Sequence, residues 1–113
     1  MALSVTAKLE VLSELARIIA DRRSAPTDQS YSAGLMAGGL EKCAKKTGEE
    51  AVEFVIAAVT GNHKETAKEA ADLLYHLLVT LEVSGVSLDE VLDELKSRRG
   101  ISGLEEKASR PQT

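Results

Sequence analysis

The sequence predicts an all-α protein, a helical bundle of about four to five helices. Apolar residues recur at spacings of three and four in several segments, as amphipathic helices require. No stretch alternates apolar and polar residues long enough to predict a strand, and no repeat indicates a solenoid. A chain of 113 residues fits one domain with a modest core. We expect a single domain over 1–113, with its core at about 5–100 and a loosely ordered tail at about 101–113.

The first half of the chain divides at its glycines and prolines. An amphipathic helix follows the leucines of VTAKLEVLSELARIIADRR and ends at a basic pair. The next segment, SAPTDQSYSAG, combines Ser, Pro, Asp and Gly and is predicted to be a loop. A long helix is predicted over 40–60, interrupted by Gly48 at a cost of about 1 kcal/mol relative to alanine. We expect Gly48 to let a phosphate or a neighbouring helix approach the backbone.

The second half carries capping signals. Asn62 with Glu65 three positions later predicts the start of a helix that runs from about residue 63 to 84, and Gly85 predicts its end. Ser87 with Glu90 predicts a capping box before the last helix. The short TGN connection makes the two long helices antiparallel neighbours.

Composition restricts the classes of function. The formal net charge of −4 argues against a nucleic-acid partner, because affinity for a polyanion depends on excess Lys and Arg. The aromatic content of 3% argues against base stacking. No apolar run approaches the ~20 residues that a bilayer requires, no signal-peptide pattern opens the chain, and the one cysteine cannot form an internal disulfide. We therefore expect a cytoplasmic protein with no membrane partner.

Each long helix carries an acidic stripe. At ~100° per residue, the stripe on the first helix spans about 100° and the stripe on the second about 60°. The first contains Glu49, Glu50 and Glu53, and the second contains Glu65, Glu69 and Asp72 together with His76. In both stripes one acid follows another after three positions, so the two acid pairs can face each other across the antiparallel helices.

Two explanations of the facing acids stay open on spacing alone. Like charges at this spacing repel, so four facing carboxylates favour a cation, and oxygen ligands suit Mg²⁺. Alternatively, each helix simply has a solvated acidic side. The lysines Lys42, Lys45 and Lys46 either bind phosphate oxygens or neutralise the acids that follow them. His76 is either a hydrogen-bond partner of a ligand or carboxylate, or a structural partner of Asp72.

Three motifs resemble the phosphoribosyl-ATP pyrophosphohydrolases of histidine biosynthesis: SYSAGL, KKTGEEAVEFVIAA and KEAADLLYHLLVTLEVSGVSLDEVLDEL. The resemblance covers about residues 5–100. That family belongs to the wider all-α, MazG-like nucleotide pyrophosphohydrolases, marked by Glu-Glu-x-x-Glu followed by Glu-x-x-Asp. In this chain the mark is Glu49, Glu50, Glu53, Glu69 and Asp72. The resemblance favours the metal explanation over the solvated faces.

The resemblance implies hydrolysis of phosphoribosyl-ATP to phosphoribosyl-AMP and pyrophosphate, the second step of histidine biosynthesis. It implies Mg²⁺ as the cofactor, with Mn²⁺ as an expected substitute, and a cytoplasmic homodimer. By position in the acidic mark, the implied metal ligands are Glu50, Glu53, Glu69 and Asp72. Glu49 is left as the candidate base that polarises water. The expected substrate-binding residues are Lys45 and Lys46 for phosphate, Ser30, Tyr31 and Ser32 for the phosphoribosyl end, and His76.

Two other functions compete with this one. The first is a house-cleaning pyrophosphohydrolase of non-canonical nucleoside triphosphates, against which the SYS segment argues. The second is a small helical interaction module whose acids only decorate its surface. Whichever function holds, we expect a homodimer, because apolar positions beside the main stripe, such as Leu73, Val79 and Val83, offer more hydrophobic surface than a small monomer covers.

Overall fold

The computed structural model describes residues 4–99, and the regular structure within that range is entirely helical. The helices are α1 (Val5–Lys8), α2 (Glu10–Arg22), α3 (Tyr31–Ala37), α4 (Leu40–Thr60), α5 (His63–Ser84) and α6 (Leu88–Ser97). The all-α prediction is confirmed, with α1 a single turn separated from α2 only by Leu9. The tail predicted at about 101–113 lies outside the described residues.

Helices α4 and α5 form an antiparallel hairpin and pack along their lengths. The turn is short because Gly61 adopts a left-handed conformation, with φ of 77°, directly after α4. The side-chain oxygen of Asn62 then accepts a hydrogen bond of 3.0 Å from the backbone N–H of Glu65. The cap predicted at Asn62 is confirmed, and it fixes where α5 begins.

The far end of α5 also follows its predicted signals. Gly85 ends the helix in the left-handed region, with φ of 80°. The predicted capping box of α6 is present: the Glu90 carboxylate accepts the Ser87 N–H at 2.8 Å, and the Ser87 hydroxyl oxygen accepts the Glu90 N–H at 3.1 Å. These bonds to the ionised carboxylate lower the pKa of Glu90.

The core lies where α2 and α3 cover one side of the hairpin. Its buried members are Ile19, Leu35, Met36, Cys43, Leu78 and Val79. The Arg23 guanidinium donates to the backbone carbonyl of Glu82 at 3.1 Å and so fastens the end of α2 to α5. Within residues 4–99, no single helix is long and apolar enough to cross a bilayer, and only the pair α5 and α6, bent by 110°, satisfies that measure jointly.

Two local expectations are wrong, and so is one of the two alternatives expected at Gly48. The YSAG part of the predicted loop is helical, since α3 begins at Tyr31 with the Ser30 hydroxyl oxygen accepting the Ala33 N–H at 3.1 Å. Val79 is fully buried inside the chain rather than available to a partner, because α2 and α3 cover its side of α5. No neighbouring helix approaches Gly48, since a Cβ atom added there meets no heavy atom within 4 Å.

Candidate active site

The hairpin brings the two acid pairs together. One carboxylate oxygen from each of Glu50, Glu69 and Asp72 lies within 4.8 Å of the others. Glu53 lies beside Glu69, close enough for its charge and a hydrogen bond to act on that carboxyl. We call Glu50, Glu53, Glu69 and Asp72 the acidic cluster. It forms because the acids of α4 and α5 occur at helical spacing on the sides where the two helices meet.

The acidic cluster is electrostatically strained without a cation. Burial raises the pKa of Glu69, and the charges of Glu53, Asp72 and Glu50 raise it further. The Oε2 atom of Glu69 is buried and has no hydrogen-bond partner among the described residues. A buried oxygen without a partner costs free energy. An unpaired oxygen among several carboxylates fits a hard divalent cation such as Mg²⁺, which takes oxygen ligands.

A cleft of about 590 Å³ lies beside the acidic cluster, between the start of α3 and the first half of α4. We call it the basic cleft. It is lined by Thr27, Ser30, Tyr31, Gly34, Leu35, Lys42, Lys45, Lys46 and Glu49. The three lysines face one opening, so the cleft suits an anionic ligand despite the net negative charge of the chain.

Lys46 joins the two regions. Its ammonium lies 3.3 Å from the buried Glu50 carboxylate and 3.9 Å from the exposed Glu49 carboxylate. The hydrogen bond to Glu50, followed by the charge of that carboxylate, raises the pKa of Lys46. The acidic cluster and the basic cleft therefore share an edge at one turn of α4.

The predicted substrate residues of α3 take different positions. Ser30 and Tyr31 line the basic cleft. The hydroxyl of Ser32 instead hydrogen-bonds to the hydroxyl of Tyr75 on α5. His76 lies behind the cleft wall, with only 6% of its surface exposed.

The two ring nitrogens of His76 have different partners. Nδ1 lies 2.7 Å from the backbone carbonyl oxygen of Asp72, and Nε2 lies 3.2 Å from the hydroxyl of Tyr31. Because a carbonyl only accepts hydrogen bonds, Nδ1 carries a proton and donates it. The predicted Asp72–His76 pairing is thus a bond to the backbone of Asp72 and leaves its carboxylate in the acidic cluster.

Several site residues were not predicted from the sequence. Thr27, Gly34 and Leu35 line the basic cleft. Gly34 and Leu35 end the SYSAGL motif but were given no role there, and nothing in the local sequence marks Thr27. Thr47 was also missed: its hydroxyl lies 3.0 Å from the carbonyl of His76 and 2.8 Å from the hydroxyl of Thr80. These bonds between α4 and α5 fix the register that aligns the acid pairs. A threonine on the buried side of α4, at helical spacing from Cys43 and Glu50, is the signal that would have found it.

Comparison with known proteins identifies the family. A sequence profile described as Phosphoribosyl-ATP pyrophosphohydrolase matches residues 12–99. The chain belongs to this family. The site just described lies within the matched residues, and the resemblance seen in the sequence motifs is confirmed.

Several bacterial relatives share most of their length with this member of the phosphoribosyl-ATP pyrophosphohydrolase family. A protein named phosphoribosyl-ATP pyrophosphatase from Erythrobacter litoralis is 56% identical over 102 residues, which cover 90% of this chain and 98% of the relative. A protein of the same name from Dinoroseobacter shibae is 55% identical over 102 residues, covering 90% and 100%. One from Rhizobium johnstonii is 54% identical over 99 residues, covering 88% and 92%. The chain is therefore an enzyme, a hydrolase acting on a phosphoanhydride bond.

Proposed function

We propose that this enzyme hydrolyses phosphoribosyl-ATP to phosphoribosyl-AMP and pyrophosphate in a Mg²⁺-dependent reaction, the second step of histidine biosynthesis. The observation that carries the proposal is the shared edge at Lys46, where an acidic cluster suited to a cation meets a cleft suited to a polyphosphate. A triphosphate ester needs both, because its phosphates are anionic and are commonly bound together with a divalent ion. The names and high identity of the relatives support this choice of substrate.

The acidic cluster is the proposed metal site. Glu50, Glu53, Glu69 and Asp72 supply oxygen ligands, and the orphaned Oε2 of Glu69 gains a partner there. When bound, Mg²⁺, or Mn²⁺ as a substitute, neutralises charge on the phosphates and orients the attacking water. An acidic protein can then bind a polyanion, because a bound cation inverts the local charge.

The residues along the basic cleft take the remaining roles. Lys45 and Lys46 bind phosphate oxygens through their ammonium groups. Glu49 lies at the cleft edge with its carboxylate about half exposed, where it can accept a proton from the attacking water. The SYS segment, residues 30–32, begins α3 at the opposite wall and is assigned to the phosphoribosyl end of the substrate.

We further propose that the enzyme is a homodimer formed through the side of the hairpin turned away from the acidic cluster. Large apolar side chains are exposed there, at 38–81% of their surface. This outer apolar face consists of Val52, Val55 and Val59 on α4 and Leu74 and Leu77 on α5. A second groove between the helices, of about 370 Å³ and lined largely by small residues including Ala58, Ala67 and Ala70, lies on the hairpin surface near the turn. Small and apolar residues on adjacent helices favour close packing with a second helix pair.

The proposed setting is that of a single-domain cytoplasmic enzyme with a small-molecule substrate. The net charge of −4 supports the absence of a nucleic-acid partner. Three lysines line one short cleft, which matches a nucleotide rather than an extended backbone.

A pyrophosphate-release assay tests the proposal. The purified enzyme is given phosphoribosyl-ATP with and without Mg²⁺, and with dUTP or dCTP in parallel. We expect pyrophosphate release from phosphoribosyl-ATP only with the metal, and a much lower kcat/KM for the other two nucleotides. Preference for dUTP or dCTP would support the house-cleaning function instead. A helical interaction module without a site would show neither turnover nor a thermal shift at millimolar Mg²⁺.

A further inference from the structure

His76 is saturated by contacts within the protein. Its Nδ1 donates to the Asp72 carbonyl at 2.7 Å, and its Nε2 is 3.2 Å from the Tyr31 hydroxyl. The ring is also packed at its edge against two tyrosines, with centroids 5.0 Å from Tyr75 and 6.1 Å from Tyr31. An imidazole has only two nitrogens, so His76 has no polar atom left for a substrate or a cation.

Tyr31 is the residue of this group that faces the basic cleft. It lines the basic cleft and is 62% exposed, whereas His76 is buried behind it. An exposed tyrosine at the first position of a seven-residue helix has little local support, because so short a helix is marginal on its own. The bond to His76 links Tyr31 to the backbone of Asp72 and hence to the element that carries the acidic cluster.

We propose that His76 is a positioning residue that acts through Tyr31. It holds the Tyr31 hydroxyl at a fixed place on the wall of the basic cleft, in register with the acidic cluster. The inference rests on the proposed function for the identity of the substrate, and it changes the expected role of His76 from contacting the substrate to orienting the residue that does.

A double-mutant cycle tests this role. Tyr31→Phe removes the hydroxyl that faces His76. His76→Asn keeps an amide donor near the Nδ1 position but loses the group that faces Tyr31. His76→Gln instead places an amide near the Nε2 position. We expect Tyr31→Phe and His76→Asn each to lower kcat/KM for phosphoribosyl-ATP about fivefold to tenfold, mainly through KM, which is the effect of one hydrogen bond. The double variant is expected to have a kcat/KM no lower than that of the less active single variant. His76→Gln is expected to recover most of the kcat/KM that His76→Asn loses.

Ser84→Ala is the matched control, because it removes a hydroxyl from α5 that bonds to the carbonyl of Leu81 at 2.9 Å, outside the cleft lining. Its kcat/KM is expected to change less than about twofold. The thermal shift produced by Mg²⁺ is expected to be the same in all variants. Additive losses in the double variant would overturn the inference, as would loss of the Mg²⁺ shift in His76→Asn, which would indicate a role at the acidic cluster.

Nitrogen NMR of His76 separates this inference from the proposed function. We expect a protonated Nδ1 in the wild type and an Nε2 resonance that moves in Tyr31→Phe. An Nε2–H tautomer with a bare Nδ1 would overturn the inference even in an active enzyme. A wild type that leaves phosphoribosyl-ATP intact would refute the proposed function, and the resonances would still decide whether His76 holds Tyr31.

Discussion

The ammonium of Lys46 lies 3.3 Å from the carboxylate of Glu50, with 37% of the lysine side chain but only 8% of the glutamate side chain exposed. One end of this ion pair therefore belongs to the basic cleft and the other to the acidic cluster. Because the Glu50 carboxylate is buried, its pairing with the Lys46 ammonium offsets part of the cost of burying that charge. On loading, Glu50 would turn to the cation and Lys46 to a phosphate.

Lys46→Met tests this exchange of partners. We expect KM for phosphoribosyl-ATP to rise about tenfold or more, because a charge-assisted hydrogen bond to phosphate is lost. The thermal shift with Mg²⁺ alone is expected to persist, since in the proposed site Lys46 would compete with the cation for Glu50. Lys64→Met, in the exposed first turn of α5, is the control and should leave KM unchanged. An unchanged KM in Lys46→Met would contradict the assignment.

Neutral substitutions in the acidic cluster separate a metal site from a structural one. Asp72→Asn and Glu50→Gln are expected to lower kcat about a hundredfold or more while helical content is retained. The metal-free form of Asp72→Asn should melt no lower than the wild type, because this substitution relieves repulsion between carboxylates and leaves the Lys46–Glu50 ion pair intact. Glu41→Gln, at the exposed start of α4, serves as the control for kcat and melting temperature. A clear loss of metal-free stability in Asp72→Asn would show that this acid is structural.

The raised pKa of Glu69 predicts a pH dependence of stability. The folded protein keeps a proton on Glu69 to a higher pH than the unfolded chain does. Between the ordinary glutamate pKa and the raised value, the folded state therefore binds more protons, and stability falls as the pH rises through that window.

Melting curves of metal-free wild type and Glu69→Gln across the weakly acidic range measure this effect. We expect the wild type to lose melting temperature relative to Glu69→Gln as the pH rises, and millimolar Mg²⁺ to reverse that loss above the window. The control Glu41→Gln should show the same dependence of melting temperature on pH as the wild type. If the difference in melting temperature between wild type and Glu69→Gln did not change with pH, a raised pKa of Glu69 would be ruled out.

The parts of the fold that the sequence predicts are those determined by local chemistry. Asn62, Gly85 and the Ser87–Glu90 box bond to backbone groups within one turn. A few residues of sequence are therefore enough to predict where these helices begin or end. The facing of the acid pairs was also predictable, because helical spacing and a short turn determine it.

Features that depend on packing were not predictable. Helix α3 is tied to α5 by bonds from Ser32 and Tyr31 to residues more than forty positions away, which no local pattern reveals. Val79 is buried because α2 and α3 cover one side of α5, although its spacing also suits an exposed flank. The basic cleft is lined by residues from separate parts of the chain, such as Thr27 and Lys42, and their relative placement depends on the packing of the core.

The outer apolar face predicts how the dimer can be broken. Val55→Glu places a charge where 54% of the valine is exposed, so the protomer itself should tolerate it. In a dimer interface the same charge would be desolvated without a partner, which costs several kcal/mol. Light scattering should report twice the 12.1 kDa chain mass for the wild type and the single mass for Val55→Glu. Val11→Glu, on the exposed side of α2, should stay dimeric. A monomeric wild type at micromolar concentration would refute the homodimer.

Gly48 gives the last prediction. Its position on α4 is exposed, a Cβ atom there meets no heavy atom within 4 Å, and it does not line the basic cleft. The glycine therefore costs helix stability with no packing contact in the protomer to offset that cost. Gly48→Ala is expected to raise the free energy of unfolding by up to about 1 kcal/mol, since alanine has the higher helix propensity and the less flexible unfolded chain. We expect kcat/KM to stay unchanged, as steady-state kinetics and a melting curve on the one variant can show. Reduced kcat/KM in a protein that melts at the same temperature or higher would instead mean that a phosphate passes close to this backbone during the reaction.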